Sequence, residues 1–360
     1  MSGVSGVPAR VAVMGGSGYI GGEALRLLLG HPCVEVAAVT SPSHAGKPIT
    51  EVHPHLHKLT DLYFTADISA KEAAGYDAIF MALPHGAAMQ RVPEMLAAGG
   101  EGGPHGDGPI LLDMSGDFRI KDAAQFAKFY GLEHTANEIA KSAAYGLTEW
   151  NRKAIQEARL VACPGCFPTG ALLALTPLAM SGLLGGHVVI DSKTGSSGSG
   201  KEPGEGTHHP VRSQDFRAYN LLKHRHQPEI AQELSKWRGD GASSMKVVFT
   251  PHSAPMVRGI FTTAYAFPSR SVSDGELQEI YREAYDEEHF VRLVDNPRVA
   301  VVTHSNFCDI SATTDGEGTI IVTSAIDNLV KGGAGQAVQN LNVAFGWPET
   351  LGLTFPGTMP

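Results

Sequence analysis

Cysteine is scarce in this chain, four in 360 residues, and only Cys163 and Cys166 stand in Cys-x-x-Cys spacing. Cys33 and Cys308 supply no second such pair, so a four-cysteine zinc site lacks half its ligands. Long apolar runs are missing too: none reaches the roughly eighteen residues that a membrane-spanning helix requires. A secretory h-region is absent, and with so few cysteines this leads us to expect a reducing cytoplasm and no membrane partner. Basic residues are outnumbered, 28 Lys and Arg against 37 Asp and Glu for a net charge of −9. A nucleic-acid backbone is therefore a poor partner on bulk charge. Nothing repeats at a fixed period, which excludes solenoids and propellers. What is present, 42% hydrophobic and 18% charged residues, can bury a full core and predicts a soluble globular chain of two domains.

The chemistry centres on Ala162-Cys163-Pro164-Gly165-Cys166-Phe167-Pro168-Thr169-Gly170. An apolar helix-forming run, residues 171–180, follows it, and Gly182 can close that helix. Cys166 therefore falls near a helix N-terminus. Unpaired amides and the positive end of the helix dipole favour a thiolate there, the form that attacks carbonyl carbon. Pro164 and Gly165 shape a tight turn, and Pro168 falls where a helix tolerates a missing N–H. Cys166 is the candidate nucleophile. A cysteine that merely packs, and a redox or zinc pair with Cys163, are the alternatives.

The amino-terminal part reads as strand, glycine turn, helix: residues 10–14, then Gly15-Gly16-Ser17-Gly18-Tyr19-Ile20-Gly21-Gly22, then residues 23–29. Gly15, Gly18 and Gly21 have the dinucleotide spacing, which permits a tight turn, close approach to pyrophosphate and close helix packing. Gly15, Ser17, Gly18, Tyr19, Ile20 and Gly21 are the candidate cofactor-binding residues. The second strand, residues 34–39, ends in Thr40-Ser41 where an NAD enzyme would carry an acid for the ribose hydroxyls. That absence favours NADP, with Ser41, His44 and Lys47 near the 2′-phosphate or simply a polar loop.

Further strands are predicted at 76–83, leading to His85, and at 110–114, leading to Ser115-Gly116-Asp117-Phe118-Arg119. Residues 1–8 read as a loose tail and 99–108 as a surface insertion. Arg119 suits a carboxylate or phosphate, or a surface ion pair. Beyond Cys166 the βα rhythm stops. A strand at 188–192 enters the loop 193–200, whose Ser197 and Gly198 could hold phosphate or only link. His224 and His226 flank Arg225, which combines a near-neutral proton carrier with a fixed positive charge; a metal site is the other reading. Strands at 245–250 and 259–267 predict an antiparallel sheet, with Arg258 just ahead of the second. A helix capped by Ser273 is expected over 274–288, and strands over 300–303 and 319–324. The last helix, 328–342, is expected to pack on the first domain.

Several motifs together carry a resemblance: Gly-Gly-Ser-Gly-Tyr-Ile-Gly at 15–21, Leu-Pro-His-Gly at 83–86, Asp-Phe-Arg at 117–119, Cys-Pro-Gly-Cys-Phe-Pro-Thr at 163–169, His-Arg-His-Gln-Pro-Glu-Ile at 224–230 and Ala-Ile-Asp-Asn-Leu-Val-Lys-Gly at 325–332. Over nearly its whole length the chain resembles the N-acetyl-γ-glutamyl-phosphate reductases of arginine biosynthesis. The resemblance implies an α/β Rossmann domain for NADP, residues 9–165 plus 329–360, and an α+β catalytic and oligomerisation domain, residues 166–328. It implies a cysteine nucleophile at Cys166, an acid/base at His224 or His226, and Asn328 near the nicotinamide. The substrate would be a small acyl phosphate, with Arg119, Arg225 or Arg258 on its anionic groups, and the enzyme a homodimer or homotetramer. A related reductase of lysine biosynthesis, acting on a carrier-linked aminoadipyl phosphate, is the alternative, which His208 to Arg212 also resembles. A catalytically silent NADP-binding regulator would keep the glycine turn without needing Cys166, His224 and His226.

Overall fold

The computed structural model describes residues 7–99, 108–239 and 245–359. Residues 1–6 of the expected tail and 100–107 of the expected insertion lie outside them. The chain divides into two compact units, Met1–Pro164 with Gly333–Thr354, and Gly165–Gly332 with Phe355–Pro360.

In the first unit β1 (Ala9–Met14), β2 (Val34–Thr40), β3 (Phe64–Thr65), β4 (Ala78–Met81), β5 (Ile110–Asp113), β6 (Ala144–Tyr145) and β7 (Leu160–Ala162) form one sheet. Its order is β3-β2-β1-β4-β5-β7-β6, and every pairing is parallel. Parallel pairing needs crossovers that cover both faces of a sheet, so central strands must be apolar on both sides. Residues 11–14, 78–81 and 110–112 are indeed buried without interruption. Strand order reverses between β1 and β4, so the loops after β1, β4 and β5 share the crevice where α/β sheets hold ligands.

The second unit is built on β8 (His187–Thr194), β9 (Arg217–Ala218), β10 (Lys246–Ser253), β11 (Ile260–Ala266), β12 (Val291–Leu293), β13 (Cys308–Thr314) and β14 (Ile320–Ile326), in the order β12-β13-β14-β11-β8-β10-β9. The sheet expected to be antiparallel from residues 245–250 and 259–267 is mixed. β8 lies between β10 and β11, parallel to β10 and antiparallel to β11. The helix His226–Arg238 lies between β8 and β10 in the chain and makes the crossover that a parallel pair requires. Burial alternates strictly along β8, β10 and β11, so one face is core and the other half-exposed. Helix Cys166–Met180 packs on β11 and β14, His226–Arg238 on β10, and Asp274–Tyr285 on β12 and β13.

The helix Cys166–Met180 is buried on every side from Phe167 to Ala179. Pro177 inside it has no N–H to give the carbonyl four residues back, Leu173. The Tyr285 hydroxyl donates to that carbonyl at 2.5 Å, and the Tyr281 hydroxyl donates to Ala174 O at 2.6 Å. Ser273 caps Asp274–Tyr285 by accepting the Glu276 N–H at 3.2 Å, while the Glu276 carboxylate pairs with Arg270.

Other expectations need correction. Residues Val299–Val302 form a short helix where a strand was expected, and the Val299 side chain fills the space beside Gly259, whose φ is +102°. Strands β12 and β13 were not anticipated. The carboxyl-terminal boundary also shifts: residues 329–332 stay with the second unit because Asp327 accepts the amides of Leu329, at 2.8 Å, and Val330, at 3.0 Å. Residues 355–360 return to it as well, where the Thr358 N–H donates to Thr303 O at 3.1 Å. The helix Gly335–Ala344 belongs to the first unit. Its Gln336 and Asn340 side chains donate to Gly146 O at 3.0 and 2.9 Å.

Candidate active site

Cys166 is the first residue of its helix, with Gly165 at the N-cap. It is half-buried, and it is a free thiol, as are Cys33, Cys163 and Cys308. Cys163 is of a different kind. Burial pushes its thiol up to about 12, so it stays protonated at neutral pH and packs, with the Asn340 amide donating to its sulfur at 3.7 Å. The Cys-x-x-Cys spacing therefore joins one packed thiol and one at a helix mouth.

Gly165 is enclosed. Its N–H donates to Glu229 Oε1 at 2.8 Å, and a Cβ built on it would stand 2.5 Å from His226 Nε2. Only glycine lets the imidazole lie this close to the backbone that presents Cys166. On the other side, a Cβ on Gly332 would stand 3.0 Å from Cys166 Cβ. His226 and Glu229 share a helix face because three residues separate them. Glu229 lies in the 224–230 motif, and its spacing from His226 is the only sign of its role that the sequence carries.

The two histidines differ. His224 Nδ1 accepts the His226 N–H at 3.2 Å, and its ring lies 4.8 Å from that of His226. Burial, aided by the Arg225 charge, pushes the His224 imidazole down to about 4, so it is neutral at pH 7. Arg225 itself is exposed. Tyr219 was missed altogether. Burial raises its phenol well above the ordinary value, and the nearby Cys166 charge adds to the rise. Among the described residues no three His, Cys, Asp or Glu side chains group as a metal-ligand set.

Asn328, within the same unit, accepts the Gly259 N–H at 2.7 Å and donates to Ser197 Oγ at 3.0 Å. The loop after β8 thus contains a short 3-10 turn, Ser196–Ser199, with Ser197 buried; Gly198 lies in the same turn. Arg258 pairs with buried Asp327 at 3.1 Å. Arg212 is also buried, bonded to Ser253 Oγ and, at 3.2 Å each, to the carbonyls of Thr194 and Ala254.

In the first unit the glycine turn meets a dinucleotide's requirements. Gly15 has φ +74°, and a Cβ there would stand 2.3 Å from Ala82 O. A Cβ at Gly21 would stand 2.5 Å from Gly15 O. Gly18 caps the helix Tyr19–Leu28, whose first turn holds no acid and whose amides suit an anion; Tyr19 is exposed and Ile20 half-buried. At the end of β2 the Ser41 hydroxyl donates to Ser17 Oγ at 2.9 Å and contacts His44 Nδ1 at 3.1 Å. Lys47 is turned to Glu51 at 2.7 Å, so it is His44 that joins Ser41. Arg119, also in this unit, donates to Cys163 O at 2.6 Å and Met114 O at 3.0 Å, which locks the guanidinium in the loop after β5.

Residues 10–158 match the semialdehyde dehydrogenase NAD-binding domain, and residues 166–328 match the semialdehyde dehydrogenase dimerisation domain. The chain is 46% identical to an N-acetyl-gamma-glutamyl-phosphate reductase of Methanopyrus kandleri, over 97% of this chain and 99% of that one. It is 43% identical to the reductase of that name from Methanocaldococcus jannaschii, over 98% and 99%. In fold it is similar to aspartate semialdehyde dehydrogenase II of Vibrio cholerae, at TM-score 0.68 and 15% identity over 94% of this chain and 98% of that one. It is likewise similar to the aspartate semialdehyde dehydrogenase of Candida albicans solved with NADP, at TM-score 0.67 and 13% identity over 93% and 98%.

Proposed function

The chain belongs to the N-acetyl-γ-glutamyl-phosphate reductase family, and from that premise we propose that Cys166 and His226 carry its reaction. The enzyme converts N-acetylglutamyl 5-phosphate to N-acetylglutamate 5-semialdehyde with NADPH, a step of arginine biosynthesis. The relatives' shared name favours the free acetylated substrate over a carrier-linked one. One observation supports the assignment of residues above the others: Cys166 opens an apolar helix with His226 Nε2 pressed against the preceding glycine.

The Cys166 thiolate attacks the acyl carbon, the carbon–oxygen bond to phosphate breaks, and phosphate leaves with the electron pair, leaving a thioester. His226 takes the thiol proton before attack and returns it to sulfur when, after reduction, the carbon–sulfur bond breaks and the aldehyde leaves. His224, neutral and tied to the His226 amide, orients this pair. Gly15, Gly18 and Gly21 would hold the pyrophosphate of NADP, Ser41 with His44 would hold its 2′-phosphate, and Ser197, Gly198 and Asn328 would serve the nicotinamide. When bound, NADPH supplies the hydride that takes the thioester to the aldehyde level. Arg119 and Arg225 hold the anionic groups of the substrate. The four free thiols support a cytoplasmic setting. The match of residues 166–328 to a dimerisation domain supports a homodimer built on the second unit.

The test is phosphate-dependent reduction of NADP⁺ with N-acetylglutamate semialdehyde, run beside Cys166→Ser. Turnover that vanishes in the variant while NADPH still binds is the expected result. Turnover that survives the substitution would remove Cys166 from the mechanism.

A further inference from the structure

We propose that Asp327 and Gly332 are positioning residues: one buried turn sets both the Asn328 side chain and the clearance around Cys166. This rests on the reading of Cys166 as nucleophile and Asn328 as a cofactor contact. Neither Asp327 nor Gly332 touches the reacting atoms in this scheme.

Asp327 is fully buried. Its Oδ1 accepts the backbone N–H groups of Leu329 at 2.8 Å and Val330 at 3.0 Å, and Arg258 Nη2 at 3.2 Å. Its Oδ2 accepts the His304 N–H at 2.6 Å and faces Arg258 Nε at 3.1 Å. Its carbonyl accepts the Gly332 N–H at 2.9 Å, which closes residues 327–332 into a turn. A buried carboxylate is retained only where charge and hydrogen bonds compensate its desolvation, and here they do so by holding two separate backbone segments and the Arg258 guanidinium. The turn has two outputs. At one end Asn328 reaches the Gly259 amide and Ser197. At the other, Gly332 presses on the nucleophile, where an added Cβ would stand 3.0 Å from Cys166 Cβ and 3.2 Å from its Cα. The φ of Gly332 does not demand glycine, since no left-handed value is recorded for it. The requirement is steric and its neighbour is the reacting residue.

Two variants separate these outputs. In Gly332→Ala the added methyl has to displace Cys166 by a few tenths of an ångström, and misplacement of a reacting group is expressed in kcat. The expected result is a fall of about tenfold in kcat, with KM for NADPH within about twofold of wild type. The alkylation rate of Cys166 by iodoacetamide should change in parallel, since it reports thiol geometry without turnover. In Asp327→Asn one oxygen that accepts His304 N–H and faces Arg258 becomes an amide donor. The expected result is weaker NADPH binding, about fivefold or more by fluorescence titration, together with lower kcat. Gly332→Ala with wild-type kcat and wild-type alkylation would overturn the proposal, as would Asp327→Asn with unchanged NADPH binding. Full activity in Cys166→Ser would instead overturn the underlying reading.

Discussion

At the scale of the residue, His224 and Cys163 show how packing sorts side chains that sequence treats alike. Both belong to motifs, Cys163 beside Cys166 and His224 beside His226, and position alone does not separate the members. Burial holds Cys163 protonated and, with the Arg225 charge, His224 neutral. The His224 shift has a consequence for stability. Between pH 6.5 and about 4 the unfolded chain binds a proton at this imidazole that the native chain does not, so stability falls as pH falls through that window. The total is on the order of 3 kcal/mol. Asp113 acts oppositely, since burial raises its carboxyl to about 6 and the native chain holds that proton longer. Urea denaturation of wild type and His224→Gln at several pH values isolates the histidine. The variant should lose most of this slope between pH 6.5 and 4; an unchanged difference across that window would refute the assignment.

At the scale of the element, the helix Cys166–Met180 depends on a distant one. Pro177 leaves the Leu173 carbonyl without its helical donor, and Tyr285 supplies one from another helix. Tyr285→Phe removes that donor and leaves a buried carbonyl unpaired, at a cost of about 1–3 kcal/mol. Thermal unfolding should show a lower midpoint, with kcat nearly unchanged at permissive temperature because Leu173 lies two turns from Cys166. A loss below a few tenths of a kcal/mol would mean that the carbonyl is satisfied otherwise. Elements also explain which expectations failed. Val299–Val302 is β-branched and apolar and so resembles a strand, but the niche beside Gly259 takes it as a helical turn. Strand β13, Cys308–Thr314, is interleaved with Asp309, Ser311 and two threonines; it escapes an apolar pattern because it earns its place by pairing with β14.

At the scale of the whole molecule, the second unit leaves one face of its mixed sheet half-exposed, with Val189, Val248, Phe261 and Tyr265 alternating outward from the buried residues. We expect a second copy to cover it, in keeping with the dimerisation-domain match of residues 166–328. Val248→Asp combined with Tyr265→Asp would bury uncompensated charge in such a contact. Sedimentation should then move the enzyme from a multiple of 38.1 kDa to the single-chain mass, and an unaltered assembly would exclude this face.

What the sequence determined by itself is whatever depends on a few adjacent residues. The strand, glycine turn and helix at the amino terminus, the missing acid after β2, and a cysteine at the mouth of an apolar helix follow from backbone freedom, missing charge and local amides. Tertiary structure alone decided which groups converge on Cys166. Glu229 meets Gly165 across 64 residues, and Gly332 abuts Cys166 from the far end of its unit. The same structure separated His224 from His226 by what each packs against and set β8 between β10 and β11. These outcomes depend on strand order and on the dielectric that packing creates, and neither is encoded in the periodicity of any one segment.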